Sequence, residues 1–136
     1  MIVEILLEPE LAFAEVGYRL TSPTCIAVDT DDIFIVEEGF ETDLASVPSF
    51  LKVLIDNDEK GIRLAAIYHD AMYRGIAYCP SRKYADEVFY TIMEMRGLVW
   101  WKRQLAWSMV RMLGWRHWVE VPEAVDRLVK RPLKPL

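Results

Sequence analysis

One histidine and three carboxylates stand out as residues able to do chemistry together: His69 and Asp70 in AAIYHDAMYR, Asp86 in SRKYADEVF and Asp43 in GFETDLASVP. A carboxylate bonded to an imidazole fixes its tautomer and raises its basicity, which prepares a histidine as a general base or a metal ligand. Two antiparallel helices joined by residues 75–80 would set the His69 face opposite the Asp86 face, so a His69–Asp86 pair is geometrically easy. Asp70, one residue on, points about 100° away around the helix. It can instead meet Asp43 from the preceding loop, and two carboxylates with backbone carbonyls make a hard-cation site.

Simpler readings of the same residues stay open. His69 can be a satisfied core histidine, Asp70 can bond Arg74 at i,i+4, and Asp86 can bond Tyr73. Asp43, ahead of Ala45, Ser46 and Pro48, can cap a helix that begins near Pro48. What favours the chemical reading is concurrence, because these polar sites fall in flanking segments that should meet in space. Other templates fit less well. A histidine–aspartate phosphohydrolase needs a further upstream histidine, and the second histidine here is His117, far downstream. Ser46 lacks a GxSxG elbow, and neither a GxGxxG nor a GxxxxGKS phosphate cradle is present.

The elements that must position these groups follow from periodicity. Residues 2–7, 14–21, 25–29 and 32–37 are short β-type runs separated by turn residues such as TSPT and DTDD, which predicts a small antiparallel meander. After Pro48 the spacing becomes helical, with Ile62, Ala65, Ala66, His69 and Tyr73 on one face. Ser81 is placed to cap a helix over 82–96, whose stripe is Ala85, Val88, Phe89, Ile92 and Met93, and Gly97 ends it. A third helix is expected over 99–113 and a short one from Pro122 to about residue 130. The fold class expected is α+β: an N-terminal antiparallel β-meander packed on a C-terminal layer of three to four helices, with a central antiparallel helical hairpin. Residues 1–131 read as one domain and 132–136 as a flexible tail.

Composition bounds the function. With 136 residues, 53% of them apolar and 27% charged, the chain can bury a core without disulfide or metal. Cys25 and Cys79 match no zinc or CxxC spacing. The net charge of −5 is uneven: residues 1–68 carry 14 acidic and 4 basic side chains, residues 69–136 carry 7 and 12. Nucleic acid is disfavoured as a partner, and neither a signal peptide nor a transmembrane run is expected. All five tryptophans, Trp100, Trp101, Trp107, Trp115 and Trp118, share a stretch with Lys102, Arg103, Arg111 and Arg116. They read either as core packing against the sheet or as a face for lipid or protein, and adjacent Trp100 and Trp101 cannot both point inward.

The ordered set GFETDLASVP, HDAMY, SRKYADEVF and VRMLGWRHW closely resembles the domain-of-unknown-function 1353 family over about residues 16–118. The matched positions are Gly39, Phe40, Thr42, Asp43, Ser46, Pro48, His69, Asp70, Tyr73, Ser81, Arg82, Asp86 and Phe89. The resemblance implies a phage or prophage protein, in host cytoplasm or virion, with phage structural proteins or the host envelope as partners through Trp100–Trp118. Separately, HDxxY with an aspartate on a following antiparallel helix is similar to the core of phospholipase A(2) enzymes. That similarity implies His69 as the base, Asp70 as a calcium ligand, and Tyr73 with Asp86 as the supporting network. The glycine-rich calcium loop and the disulfides of those enzymes have no counterpart here. The function expected is a small metal-assisted His–Asp hydrolase, lipid or ester directed. The alternative is a non-enzymatic virion or host-interaction protein in which the cluster is structural.

Overall fold

The computed structural model describes residues 1–13, 17–42 and 61–119. Asp43, Ser46, the helix start expected near Pro48, the helix expected from Pro122 and the tail all lie outside these residues. Within them, strands β1 (Val3–Leu7), β2 (Leu11–Phe13), β3 (Tyr18–Leu20), β4 (Thr24–Val28), β5 (Asp32–Val36) and β6 (Glu41–Thr42) precede helices α1 (Gly61–Tyr73), α2 (Arg82–Met95) and α3 (Trp100–Leu113). A 3₁₀ turn, Gly114–Arg116, follows. The α+β architecture of N-terminal antiparallel strands and C-terminal helices is the one the periodicity predicts.

The strands divide further than a single meander, into two three-stranded antiparallel sheets ordered β1-β4-β5 and β2-β3-β6. Of the run expected over 14–21, residues 14–16 lie outside the described residues and β3 occupies Tyr18–Leu20, while β2 and β6 are too short for an alternation to be read in sequence. Gly39, at φ +90°, makes the turn that returns the chain to β3, where Gly39 N donates to Leu20 O and Leu20 N to Phe40 O. Alternation on the first sheet is clear in β5, where Phe34 and Val36 are buried and Ile33 and Ile35 exposed.

Helix α1 is central. Leu64, Ala65, Ile67, Tyr68, Ala71 and Met72 are all buried, so its apolar surface extends well beyond one stripe. Of the face expected from sequence, Ile62, Ala65 and Tyr73 are buried and Ala66 and His69 half-buried, while Leu64 and Tyr68, which lie off that face, also fill the core. The Tyr68 hydroxyl donates to Thr24 Oγ1 of β4 at 3.1 Å, and Thr24 in turn donates to Leu7 O, which satisfies two buried hydroxyls at the sheet–helix junction.

Helix α2 follows its expected limits closely. Ser81 caps it by accepting from Tyr84 N at 3.1 Å, and its stripe of Ala85, Val88, Phe89, Ile92 and Met93 is buried. At its end Gly97 adopts φ +85°, Gly97 N donates to Glu94 O and Leu98 N to Met93 O, with Leu98 buried. This is a Schellman closure, which satisfies carbonyls the helix cannot. Helix α3 departs from the expected packing on a sheet: it lies against α2 and buries Ala106, while both Trp100 and Trp101 are exposed.

Candidate functional site

The hairpin of α1 and α2 brings His69, Tyr73 and Asp86 together, as their spacing predicts. His69 Nε2 lies 2.7 Å from Asp86 Oδ1, and the Tyr73 hydroxyl donates to the same oxygen at 2.6 Å. Asp86 is fully buried, whereas the His69 side chain keeps 14% of its surface exposed. With Nε2 held by the carboxylate, Nδ1 is the nitrogen left for other chemistry. The imidazole is sandwiched, its centroid 4.0 Å from the Tyr73 ring and 4.8 Å from Phe89, so its rotation is restricted.

The second carboxylate oxygen faces two arginines. Arg111 of α3 donates to Asp86 Oδ2 at 2.7 Å, and Arg82 Nη1 lies 3.7 Å from it. Arg82 also donates to the carbonyls of Val110 and Arg111, closing the C-terminal end of α3, and to the Tyr73 hydroxyl. Sequence reasoning gives neither arginine a role in this site, although Arg82 is among the positions matched to the family. Arg82 was legible in principle, four residues before Asp86 on one helix. Arg111 was not, since its role depends on how α3 crosses α2. Burial alone would push the Asp86 carboxyl up, but hydrogen bonds from His69, Tyr73 and Arg111 more than offset it and hold Asp86 below its ordinary value. Burial and the neighbouring carboxylate push the Tyr73 phenol upward, so it stays a donor.

A depressed carboxylate stabilises the folded state above its unfolded pKa, and that contribution is lost as pH falls through the folded value. The melting temperature is therefore expected to drop as pH falls below about 4, the ordinary carboxylate range. An Asp86→Asn protein, though less stable at pH 7, should show a flatter acid limb when the two are melted side by side across pH.

Asp70 stands apart from this network. Its carboxylate meets Arg74 at 3.5 Å, the i,i+4 pair the simpler reading allows, and Thr42 at the end of β6. Burial pushes its carboxyl up against the pull of Arg74, Thr42 and His69. Asp43, the second expected ligand, lies outside the described residues. Among the described residues, no group of three His, Cys, Asp or Glu side chains is arranged to hold a metal ion. Asp70 supplies one carboxylate whose charge is already met by Arg74, which does not make a cation site by itself.

Tyr73 is fixed from behind. A Cβ on Gly114 would lie 2.8 Å from the Tyr73 hydroxyl, Trp118 packs edge-on at 5.4 Å, and Val119 N donates to Tyr73 O. Gly114 is thus required by close approach to Tyr73. Gly114→Ala should displace the hydroxyl from Asp86 and cost about 1–3 kcal/mol in urea unfolding. A groove of about 420 Å³ lined by Pro80, Ser81, Arg82, Trp115 and Trp118 opens on this same side. His69 is not among its walls, and Tyr73 lies between the two.

The site is thus a helical hairpin carrying a His–Asp–Tyr cluster, clamped by a third helix. The sequence model of the family described as "Protein of unknown function (DUF1353)" matches residues 18–110, and the chain belongs to that family. No curated protein and no solved structure matches the chain.

Proposed function

We propose that the protein is a small phage- or prophage-encoded hydrolase that cleaves an ester, with His69 as general base, Asp86 holding its ring and Tyr73 steadying Asp86. The observation that carries this reading is the 2.7 Å contact between His69 Nε2 and a fully buried carboxylate on an imidazole that is itself incompletely buried. In the reaction, His69 Nδ1 accepts a proton from water as the oxygen adds to the ester carbonyl. The acyl–oxygen bond then breaks, and the departing alkoxide takes the proton back from the imidazolium. Asp86 stays ionised throughout, compensating the transient positive charge.

A divalent cation, calcium first, is the group the phospholipase likeness would add for the oxyanion, on Asp43 and Asp70. No step here is routed through it. The test is an assay of purified protein on p-nitrophenyl esters of short and long acyl chains and on phospholipid, with and without chelator. Turnover is expected on at least one ester. Turnover lost with chelator and restored by calcium would add the cation to the site, and no turnover on any ester would sink the reading.

A second reading has its own observation. Asp86, on α2, takes hydrogen bonds from His69 and Tyr73 of α1 and from Arg111 of α3, and pairs ionically with Arg82 of its own helix. Such a network would equally brace a non-enzymatic virion or host-interaction protein.

A further inference from the structure

Helix α3 turns an apolar face to solvent. Trp101, Leu105 and Met112 are all exposed, Met112 at 69%, and with Ser108 between them they are spaced four, three and four residues apart. At 3.6 residues per turn these positions fall within about 60° of one another. They point away from Ala106, the buried residue of the helix. Trp100 and Trp115, 63% and 62% exposed, flank the stripe.

The charge that this segment itself contributes is of one sign. Residues 97–119 contain no Asp or Glu in a chain of net charge −5, yet they hold Lys102, Arg103, Arg111 and Arg116 and every tryptophan of the protein. Arg103 turns to Leu98 O and Glu94, and Arg111 to Asp86. Lys102 and Arg116 instead sit over the exposed rings of Trp101 and Trp115, each 5.6 Å from the centroid. Tryptophan with a cation beside it suits the headgroup level of a membrane, where the ring is half-immersed and the charge meets lipid phosphate.

We propose that this face of α3 is an interfacial binding surface for an anionic lipid layer, on which the helix lies flat. The helix spans about 21 Å, and among the described residues no helix is long and apolar enough to cross a membrane. Lying in the interface is how an amphipathic helix of this kind binds. The acidic first half of the chain, with 14 acidic against 4 basic side chains, would be repelled by the same layer and so orient the contact through α3. The inference rests on the surface of α3 and stands whether or not His69 is a base.

The test is co-sedimentation of the full chain with vesicles of phosphatidylcholine alone or mixed with phosphatidylglycerol, with tryptophan emission recorded in parallel. Two double variants accompany it: Trp101→Ser with Leu105→Ser, and Lys102→Glu with Arg116→Glu. All four sites are exposed or half-buried, and melting curves verify that each variant is folded. Wild type is expected to bind the anionic vesicles, with a blue-shifted emission, and to bind phosphatidylcholine weakly. Each double variant should lose about tenfold or more in affinity, and high salt should weaken the wild-type binding. Failure to bind anionic vesicles would overturn the proposal, as would undiminished binding by the folded variants. A concentration-dependent dimer that the variants break, without vesicle binding, would assign the face to a second copy of the chain instead.

Discussion

Replacing Asp86 by Ala is expected to be among the most destabilising single substitutions in the protein, at about 3–5 kcal/mol. The carboxylate is fully buried and takes bonds from His69, Tyr73 and Arg111, with Arg82 beside it. Removing it leaves two guanidinium groups facing each other without a counter-charge and two further donors without an acceptor. For a chain of this size the melting temperature should fall by roughly 10–20 °C. Urea or thermal unfolding reads this directly, and a loss below about 1 kcal/mol would mean that Asp86 does not clamp the helices together. Arg111→Met provides the internal control. Its effect and that of Asp86→Ala should be less than additive, since each removes the same ion pair.

The hairpin centred on this network was readable in advance because its signals are local. Ser81 as a cap, Gly97 as a terminator and the stripe from Ala85 to Met93 fix the rotation of α2, and with it the face that carries Asp86. His69 and Tyr73 lie one turn apart on α1, so an antiparallel partner helix is enough to bring them to one carboxylate. What could not be read depends on long-range packing. Strands β2 and β6 have three and two residues, too few for alternation, and the division into two sheets follows from how the turn at Gly39 returns the chain to β3. Arg111 lies 25 residues from Asp86, and its contact exists because α3 packs on α2 instead of on a sheet. The same packing explains the tryptophans: with α2 offering a narrow surface, α3 buries little beyond Ala106 and leaves Trp100 and Trp101 both outside. Nothing in the described residues joins Asp70 to Asp43, since Asp43 lies beyond them.

His69→Asn is expected to separate chemistry from architecture. Asparagine keeps a polar side chain, but its amide overlays Nδ1 and not the Nε2 that meets Asp86, and it offers no nitrogen able to accept a proton from water. The carboxylate would retain Tyr73 and Arg111 in any case, so the loss of stability should be small, about 1 kcal/mol, as for one hydrogen bond. A general base contributes typically 10²–10⁴-fold to rate. An ester hydrolase working through His69 should therefore lose about a hundredfold or more in turnover while melting near the wild-type temperature. Tyr73→Phe should behave differently, because its hydroxyl touches Asp86 and not the proposed water. It removes a buried hydrogen bond and should lower stability by about 1–2 kcal/mol, with a smaller fall in rate than His69→Asn.

The most direct measurement is the rate of ester hydrolysis by His69→Asn relative to wild type, each normalised to the folded fraction found by melting the same preparations. A drop of about a hundredfold or more with the fold intact is the predicted result. Equal rates for the two folded proteins, or a fall in rate that only follows the fall in folded protein, would contradict the assignment of His69 as the base and leave the His–Asp–Tyr cluster as a structural clamp.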